Sequence, residues 1–158
     1  MSLAALVRAL PAGDRILLDT TFLAAYLDAS EATHGIARHV MDEFVRPGRN
    51  PAVVSMVTVM EILVRPLRQS PSGHHTVLAF LRHTPNLEAV GLDLQMAQEA
   101  AALRATYRLR PPDALVIGTG LATQVSHLVT NDNEWARKLA PIRERVGVLT
   151  IAGFLPFP

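Results

Sequence analysis

The sequence predicts one α/β domain with a mostly parallel central sheet and helices on both of its faces. Short apolar runs that are typical of buried strands alternate along the chain with longer amphipathic segments. A length of 158 residues is normal for one domain. Hydrophobic residues make up 49% of the chain, which is enough for one core, and no repeat or linker divides it.

The first half of the chain is predicted to contain two strands, each followed by helical sequence. Residues 1–13 are a lead of uncertain structure, in which a helical turn would end at Pro11 and Gly13. The compact apolar run Ile16–Leu18 predicts the first strand, which ends at Asp19. The other elements predicted here are helix Thr20–Leu27, helix Glu31–Val45, strand Pro51–Ser55 and helix Met56–Leu67.

The second half continues the alternation of strands and helices. Pro111 and Pro112 do not suit a helix interior but suit its first turn, so a helix should begin near Pro112. Asn131, Asp132 and Asn133 predict the turn that ends the following strand. The elements predicted here are a helix that includes Val77–Leu81, strand Leu87–Leu92, helix Asp93–Tyr107, helix Pro112–Gln124, strand His127–Thr130 and strand Val146–Ile151.

The composition excludes several kinds of site. The chain has no cysteine, which excludes disulfides, thiolate metal sites and cysteine nucleophiles and favours a cytoplasmic protein. The formal net charge of +1 gives no strong overall attraction for nucleic acid, but all of the 15 basic residues except Lys138 are arginine, which binds phosphate well. Neither a signal peptide nor an apolar run of about 20 residues, as a membrane span requires, is predicted.

Four acidic residues follow the predicted strands. Asp19 ends the first strand, Glu61 lies in the helix after the second, Asp113 opens a later helix and Asp132 follows the penultimate strand. Parallel α/β sheets place their sites at the carboxyl ends of the strands, so these carboxylates should meet at one edge. Such a cluster, with no opposing lysine, would repel itself unless it held cations.

Each acid also has a purely structural interpretation. Asp19 could cap the helix that begins at Thr20, and Asp113 could stabilise a helix N-terminus through the helix dipole. Thr58 and Glu61 match a capping box, and Asp132 could be a turn residue.

Glu61 resists its structural interpretation best, since it is the only charged residue in the segment 51–64 and a half-buried carboxylate needs a partner or a metal. Gly118 and Gly120 do not form a phosphate loop, because no strand precedes them, and are expected to allow close helix packing. The histidines show no convincing metal-binding spacing; they are His34, His39, His74, His75, His83 and His127.

Four motifs carry a resemblance to a known family: ILLDTTFLAAYLD, SMVTVMEIL, LRPPDALVIGTGLA and LVTNDNEW. In this order and spacing, from Arg15 to about Ile151, they resemble the PIN-domain ribonucleases, particularly the VapC-type toxins of prokaryotic toxin–antitoxin modules. The resemblance implies a three-layer α/β/α fold. It also implies an acidic quartet that binds magnesium or manganese, with the matching positions Asp19, Glu61, Asp113 and Asp132. The longer N-terminal lead and the asparagines that flank the last acid depart from the family pattern.

Phosphodiester hydrolysis requires an activated water and charge compensation on the leaving oxygen, and both can come from divalent ions held by carboxylates. Hard oxygen ligands favour Mg²⁺ or Mn²⁺ over zinc. We expect Asp19 and Asp113 to be the principal metal ligands, Asp132 a further or water-mediated ligand, and Glu61 the residue that orients the attacking water. The expected RNA contacts are Arg65, Arg110, Thr20 and Thr130.

Two other classes of protein compete with a nuclease. A phospho-acceptor receiver domain also carries aspartates at strand ends, but it needs a lysine after a late strand, and Lys138 falls in a helix. A PIN-like protein that binds or processes RNA without being a toxin would keep the fold. A non-catalytic member would lose some of the acids, whereas this chain has all four.

The expected partners are RNA, a second copy of the chain and an antitoxin. Helix Asp93–Tyr107 carries two apolar stripes, and a single sheet can cover only one of them, so a second subunit or helix should cover the other unless the helix is buried on both sides. The resemblance implies a dimer and an antitoxin whose C-terminal segment covers the acidic cleft and often places an arginine among the carboxylates. The stripes are Met96, Ala100, Leu103 and Tyr107, and Leu94, Ala97, Ala101 and Ala105.

Overall fold

The computed structural model describes residues 3–157, and five strands in this range form one parallel sheet. The strands are β1 (Ile16–Leu18), β2 (Ala52–Ser55), β3 (Leu87–Val90), β4 (His127–Thr130) and β5 (Gly147–Thr150). Their order is β3-β2-β1-β4-β5, and every neighbouring pair is parallel. The predicted parallel α/β fold is thereby confirmed. Met1, Ser2 and Pro158, which the predicted domain includes, lie outside the described residues.

Helices connect the strands. They are α1 (Leu3–Ala9), α2 (Thr20–Leu27), α3 (His34–His39), α4 (Met56–Gln69), α5 (His74–His83), α6 (Leu94–Tyr107), α7 (Pro111–Ala122) and α8 (Asn133–Lys138). A π-helical segment, Val40–Val45, continues α3, and 3₁₀ turns span Ala140–Ile142 and Ile151–Phe154. Within residues 3–157, no helix combines the length and the apolarity needed to cross a bilayer.

The sheet separates two hydrophobic cores, because successive side chains of a strand point to opposite faces. In β1, Ile16 and Leu18 join the core beneath α1, α2, α3 and α5, whereas Leu17 joins the core beneath α6, α7 and α8. Helix α4 contributes to both cores, with Val57 on one side and Ile62 on the other. The result is the three-layer α/β/α arrangement that the sequence predicts.

The two glycines of α7 bring this helix close to its neighbours, as predicted. A Cβ atom on Gly118 would lie 2.9 Å from the backbone oxygen of Met96 and 3.0 Å from the backbone nitrogen of Ala100, both in α6. On Gly120, it would lie 2.7 Å from the side chain of Leu128 in β4. Close packing against α6 and the sheet therefore requires small residues here and fixes the position of α7.

Several predicted boundaries need correction. The predicted helix Glu31–Val45 begins only at His34 and changes to π-helical geometry at Val40. The predicted turn at residues 131–133 is shorter, because Asn133 already begins α8. Strand β3 stops at Val90 rather than Leu92, as befits an edge strand that is only partly buried.

The uncertain N-terminal lead contains α1, which buries Leu6 and is followed by the buried Leu10. Helix α4 continues to Gln69, two residues beyond its predicted end, and α7 runs from Pro111 to Ala122 instead of Pro112 to Gln124. Strands β2 and β5 start one residue later than predicted, and β5 also ends one residue earlier.

Candidate active site

The order of the strands creates a crevice at the carboxyl edge of the sheet. The chain leaves β1 towards β2 and β3 on one side and later returns to β4 and β5 on the other side. Such a switch point is where open α/β sheets bind ligands. Asp19 directly follows β1, and Asp132 lies two residues after β4, so the crevice has a carboxylate from each of the two adjacent central strands.

A cleft of about 350 Å³ at this edge contains all four predicted acids. Val64, Val116 and Trp135 supply apolar wall, and none of the three was a predicted site residue. The complete lining is Asp19, Thr20, Thr21, Glu61, Val64, Arg110, Asp113, Val116, Asp132 and Trp135. The structure therefore brings the sequence-distant carboxylates together, as expected.

Asp19 is the most deeply buried of these acids, with 3% of its surface exposed. Its carboxylate caps α2 by accepting a 2.8 Å hydrogen bond from the backbone N–H of Phe22, so the predicted capping role is real. The hydroxyl of Thr21 donates to both carboxylate oxygens at 2.9 and 3.0 Å, and that of Thr130 donates to Oδ2 at 2.6 Å. Capping and a place in the cleft are therefore compatible in one residue.

Burial raises the pKa of Asp19 from 3.8 to about 6. The hydrogen bonds from Thr130, Phe22 and Thr21 act in the opposite direction and lower this pKa, while the negative charge of Asp132 raises it further. An ionised Asp19 is thus held by hydrogen bonds at a position where desolvation opposes its charge. A cation in the cleft would relieve that opposition.

Glu61 is half-buried in α4, and its carboxylate accepts a hydrogen bond from the hydroxyl of Thr20 in α2. The capping-box interpretation of this acid is wrong. Ser55 caps α4, whereas Thr58 lies inside the helix, fully buried, and its hydroxyl has no hydrogen-bond partner among the described residues. Glu61 is therefore placed by a contact between helices and not by its own helix end.

Asp113 lies in the first turn of α7 and pairs with Arg110. The Nε of Arg110 donates to Oδ2 at 2.9 Å, and its Nη2 donates to Oδ1 at 3.3 Å. The sequence predicts a cluster with no opposing lysine and names Arg110 only as an RNA contact, whereas in the structure Arg110 partly neutralises the acids through its pair with Asp113. The hydrogen bond and charge of Asp113 raise the pKa of Arg110, and the charges of Asp132 and Glu61 add to this effect.

Asp132 caps α8 by accepting a 2.8 Å hydrogen bond from the backbone N–H of Glu134. Its own backbone N–H donates to the hydroxyl of Thr130 at 2.9 Å. Asp132 is therefore more than the turn residue that its neighbours suggested. Thr130 contacts two of the acids. Thr21 also holds Asp19 but was not predicted as a site residue. Its position, a second hydroxyl directly after Thr20 in the first turn of a helix, was a signal in the sequence that could have identified it.

Arg65, an expected RNA contact, does not line this cleft. It pairs with Asp28 at 2.9 Å and lines a neighbouring cavity of about 490 Å³, between α2, α4 and α5, that shares Thr20 and Glu61 with the cleft. The hydrogen bond from Ser30, and next in size the hydrogen bond from the guanidinium of Arg65, lower the pKa of Asp28 to about 2.

The donor atoms that the cleft offers are carboxylate and hydroxyl oxygens. Among residues 3–157, no three His, Asp or Glu side chains already surround one metal position. Mg²⁺ commonly uses only one or two protein carboxylates and completes its octahedron with water and substrate oxygens. The oxygen donor set therefore fits Mg²⁺ or Mn²⁺ better than zinc, which prefers sulfur and imidazole ligands.

Comparisons with known proteins relate this geometry to a family. A family model described as PIN domain matches residues 16–139. No curated protein sequence matches significantly. A solved toxin–antitoxin complex from Klebsiella pneumoniae is similar, with a TM-score of 0.63 and 22% identity over 86% of this chain and 97% of that chain.

Two further solved structures share the fold. VapC20 from Mycobacterium tuberculosis, described as a sarcin-ricin loop cleaving toxin, has a TM-score of 0.62 and 18% identity over 77% of this chain and 93% of its own. FitAcB from Neisseria gonorrhoeae has a TM-score of 0.65 and 16% identity over 87% of this chain and 98% of its own.

Proposed function

Because the chain belongs to the PIN-domain family, we propose that it is a metal-dependent endoribonuclease and the toxin of a toxin–antitoxin pair. The observation that carries this proposal is the meeting of Asp19, Glu61, Asp113 and Asp132 in one cleft at the carboxyl edge of the sheet. Side chains from four different parts of the chain converge there, although structural roles alone would not require them to meet. We also propose a cytoplasmic location, because RNA and an antitoxin are the proposed partners.

Asp19, Asp113 and Asp132 would hold Mg²⁺ or Mn²⁺. When bound, such an ion supplies a water of lowered pKa and compensates charge on the leaving oxygen. Thr21 and Thr130 hold the Asp19 carboxylate by hydrogen bonds, so its oxygens are already oriented before a ligand arrives. This orientation reduces the reorganisation that metal binding requires.

Glu61 is proposed to orient the attacking water. Thr20 donates to one carboxylate oxygen of Glu61 and so fixes the plane of the group within the cleft. A carboxylate can accept about four hydrogen bonds, which leaves capacity for a water. Arg110 at the cleft rim is proposed to hold a phosphate of the RNA, with Arg65 and Thr20 as further contacts to the substrate or its water. Thr130, which the sequence also suggested as a contact, is fully buried and acts on the site through its hydrogen bond to Asp19.

The names of the structural neighbours support the toxin assignment. The Klebsiella pneumoniae structure is a toxin–antitoxin complex, and VapC20 is described as a toxin that cleaves the sarcin-ricin loop. Two other neighbours are VapBC structures bound to DNA, from Salmonella typhimurium and Rickettsia felis. We propose that this chain likewise has an antitoxin partner, whose C-terminal segment covers the acidic cleft.

Helix α6 supports a homodimer. The stripe that begins at Met96 packs against the core, with Tyr107 half-buried at its end, whereas the second stripe is exposed throughout, including Leu94 at 86%. The alternative in which α6 is buried on both sides within its own domain is therefore wrong. Exposed apolar residues also form a stripe on α4: Met56, Met60, Val64 and Leu67. Because Val64 already lines the acidic cleft, we propose that a second copy covers the exposed stripe of α6; such surfaces are uncommon on monomers.

The proposed reaction is tested by incubating the purified protein with RNA. Cleavage should occur with Mg²⁺ or Mn²⁺ and stop in EDTA, because the proposed nucleophile is a water activated by a metal ion that the carboxylates hold. Expression without an antitoxin should arrest growth, and the D113N variant should not. Undiminished cleavage in EDTA by nuclease-free protein would refute the metal mechanism. Cleavage without any growth arrest would instead favour an RNA-processing nuclease that is not a toxin.

A further inference from the structure

Arg110 occupies both oxygens of a proposed metal ligand. Its fork-shaped guanidinium donates to Oδ2 and Oδ1 of Asp113, at 2.9 and 3.3 Å. A guanidinium paired in this way fills two of the roughly four lone-pair positions of the carboxylate and places a positive charge beside it, so it competes with a cation for both oxygens. We propose that Arg110 is a built-in competitor of the divalent metal for Asp113. This inference rests on the metal-dependent function proposed above.

The charges of the cleft support the competition. Arg110 lines the same cleft as Asp19, Glu61 and Asp132. One positive guanidinium therefore balances part of the negative charge that would otherwise attract a divalent ion. A metal ion that binds Asp113 must displace the Arg110 guanidinium and is repelled by its positive charge.

The exposure of the two partners makes the exchange feasible. The side chain of Arg110 is 77% exposed, whereas that of Asp113 is 18% exposed. An ion pair with one partner in water contributes little to stability, so the arginine can leave at small cost. Asp113 keeps its place, because α7 is anchored by close backbone packing at Gly118.

A released Arg110 would remain at the cleft rim, because its backbone is fixed by the prolines that follow at the start of α7. An RNA phosphate is a ligand that suits the freed fork. Substrate would then remove the competitor, and metal and RNA would strengthen each other's binding. Binding free energies are reciprocal, so this coupling must appear in both directions.

Mn²⁺ titration of the full-length, RNA-free protein, followed by calorimetry or by the EPR signal of free Mn²⁺, tests the proposal without catalysis. Arg110→Gln should bind Mn²⁺ roughly three- to tenfold more tightly than the wild type, as expected from a weak exposed pair and one removed charge. The matched control is Arg137→Gln, since Arg137 is 76% exposed and pairs with Glu134 rather than with a proposed ligand. The control should change the affinity less than twofold.

Arg110→Lys separates the fork from the charge. It should also bind Mn²⁺ more tightly than the wild type, though less so than Arg110→Gln, because an ammonium cannot engage both oxygens in a fixed plane. Unchanged or weaker affinity in Arg110→Gln, with an unaltered melting temperature, would overturn the proposal. Equal tightening in Arg137→Gln would overturn it as well, by showing that net charge alone matters.

The outcome is distinguishable from a failure of the proposed function. If the wild type binds Mn²⁺ and Arg110→Gln binds it with the same affinity, the competition is refuted, whereas the proposed nuclease function is unaffected. Absence of Mn²⁺ binding in every variant would refute the metal-dependent function and, with it, this inference. A stable, uncleavable RNA analogue should tighten Mn²⁺ binding in the wild type and lose this effect in Arg110→Gln; a coupling retained in the variant would count against Arg110 as its carrier.

Discussion

The hydroxyl of Thr130 donates a 2.6 Å hydrogen bond to Oδ2 of Asp19 and so joins the ends of the two central strands, β4 and β1. The same hydroxyl accepts a 2.9 Å hydrogen bond from the backbone N–H of Asp132. One fully buried threonine thereby sets the relative positions of two of the four acids. The site depends on this pair of contacts as much as on the carboxylates themselves.

Thr130→Val should destabilise the metal-free protein. The isosteric change keeps the shape but removes the donor to a buried carboxylate, which typically costs about 1–3 kcal/mol. The loss should be larger at pH 8, where Asp19 is ionised, than at pH 4, since the hydrogen bond lowers the pKa of Asp19. Urea unfolding in EDTA measures this difference. Thr130→Ser, which keeps the hydroxyl, is the control, and an equal loss at both pH values would argue against the contact.

The stability of the metal-free protein should depend on the ionisation of Asp19. Its pKa is raised from 3.8 to about 6, so the folded state binds more protons than the unfolded state between these values. The shifted pKa therefore contributes about 3 kcal/mol to the free energy of unfolding below about pH 4, and this contribution is lost as the pH rises through 6. Asp19→Asn cannot titrate, so its stability relative to the wild type should rise from pH 4 to pH 7.

Asparagine is also a good helix cap, so the same comparison with Asp19→Ala separates capping from charge. The alanine variant should be less stable than the asparagine variant by about 1 kcal/mol, because the N–H of Phe22 loses its acceptor. A flat difference between wild type and Asp19→Asn across this pH range would show that burial does not perturb the carboxyl group.

Asp19→Asn and Asp113→Asn should each reduce RNA cleavage by orders of magnitude, because each removes a proposed metal ligand while keeping its shape. Cleavage is measured on purified, folded protein with Mn²⁺. Glu99→Gln, an acid that pairs with Arg145 away from the cleft, serves as control and should retain activity. Near-wild-type turnover in both aspartate variants would show that the reaction occurs elsewhere.

Ala101→Arg should convert the proposed dimer into a monomer. Ala101 lies in the middle of the exposed stripe of α6, so a long charged side chain there would obstruct a second copy without disturbing the core. Light scattering measures the mass. Gln95→Arg places the same charge on another exposed face of α6 and should leave the dimer intact. A wild type that is monomeric at high concentration would refute the interface.

The strand pattern and the four acids could be predicted from the sequence for a local reason. Buried parallel strands require short apolar runs, and the residues that follow them must lie at one edge of the sheet, so order along the chain translates directly into position. Helical spacing also predicted two apolar stripes on α6, although not which of them faces the core, and it predicted that Gly118 and Gly120 allow close packing. Helix boundaries were less certain: Val40–Val45 changes to π-helical geometry, which its apolar spacing does not reveal.

Contacts between distant parts of the chain were decided only by the tertiary structure. Glu61 and Thr20 are 41 residues apart, and Asp19 and Thr130 are 111 apart, so no local pattern pairs them. The Arg110–Asp113 pair is near in sequence, yet its geometry depends on how the extended backbone before Pro111 enters α7. The raised pKa of Asp19 likewise follows from its burial, which only the folded chain produces. Sequence determines which groups can reach the cleft, whereas packing determines which partners they meet and how much water remains around them.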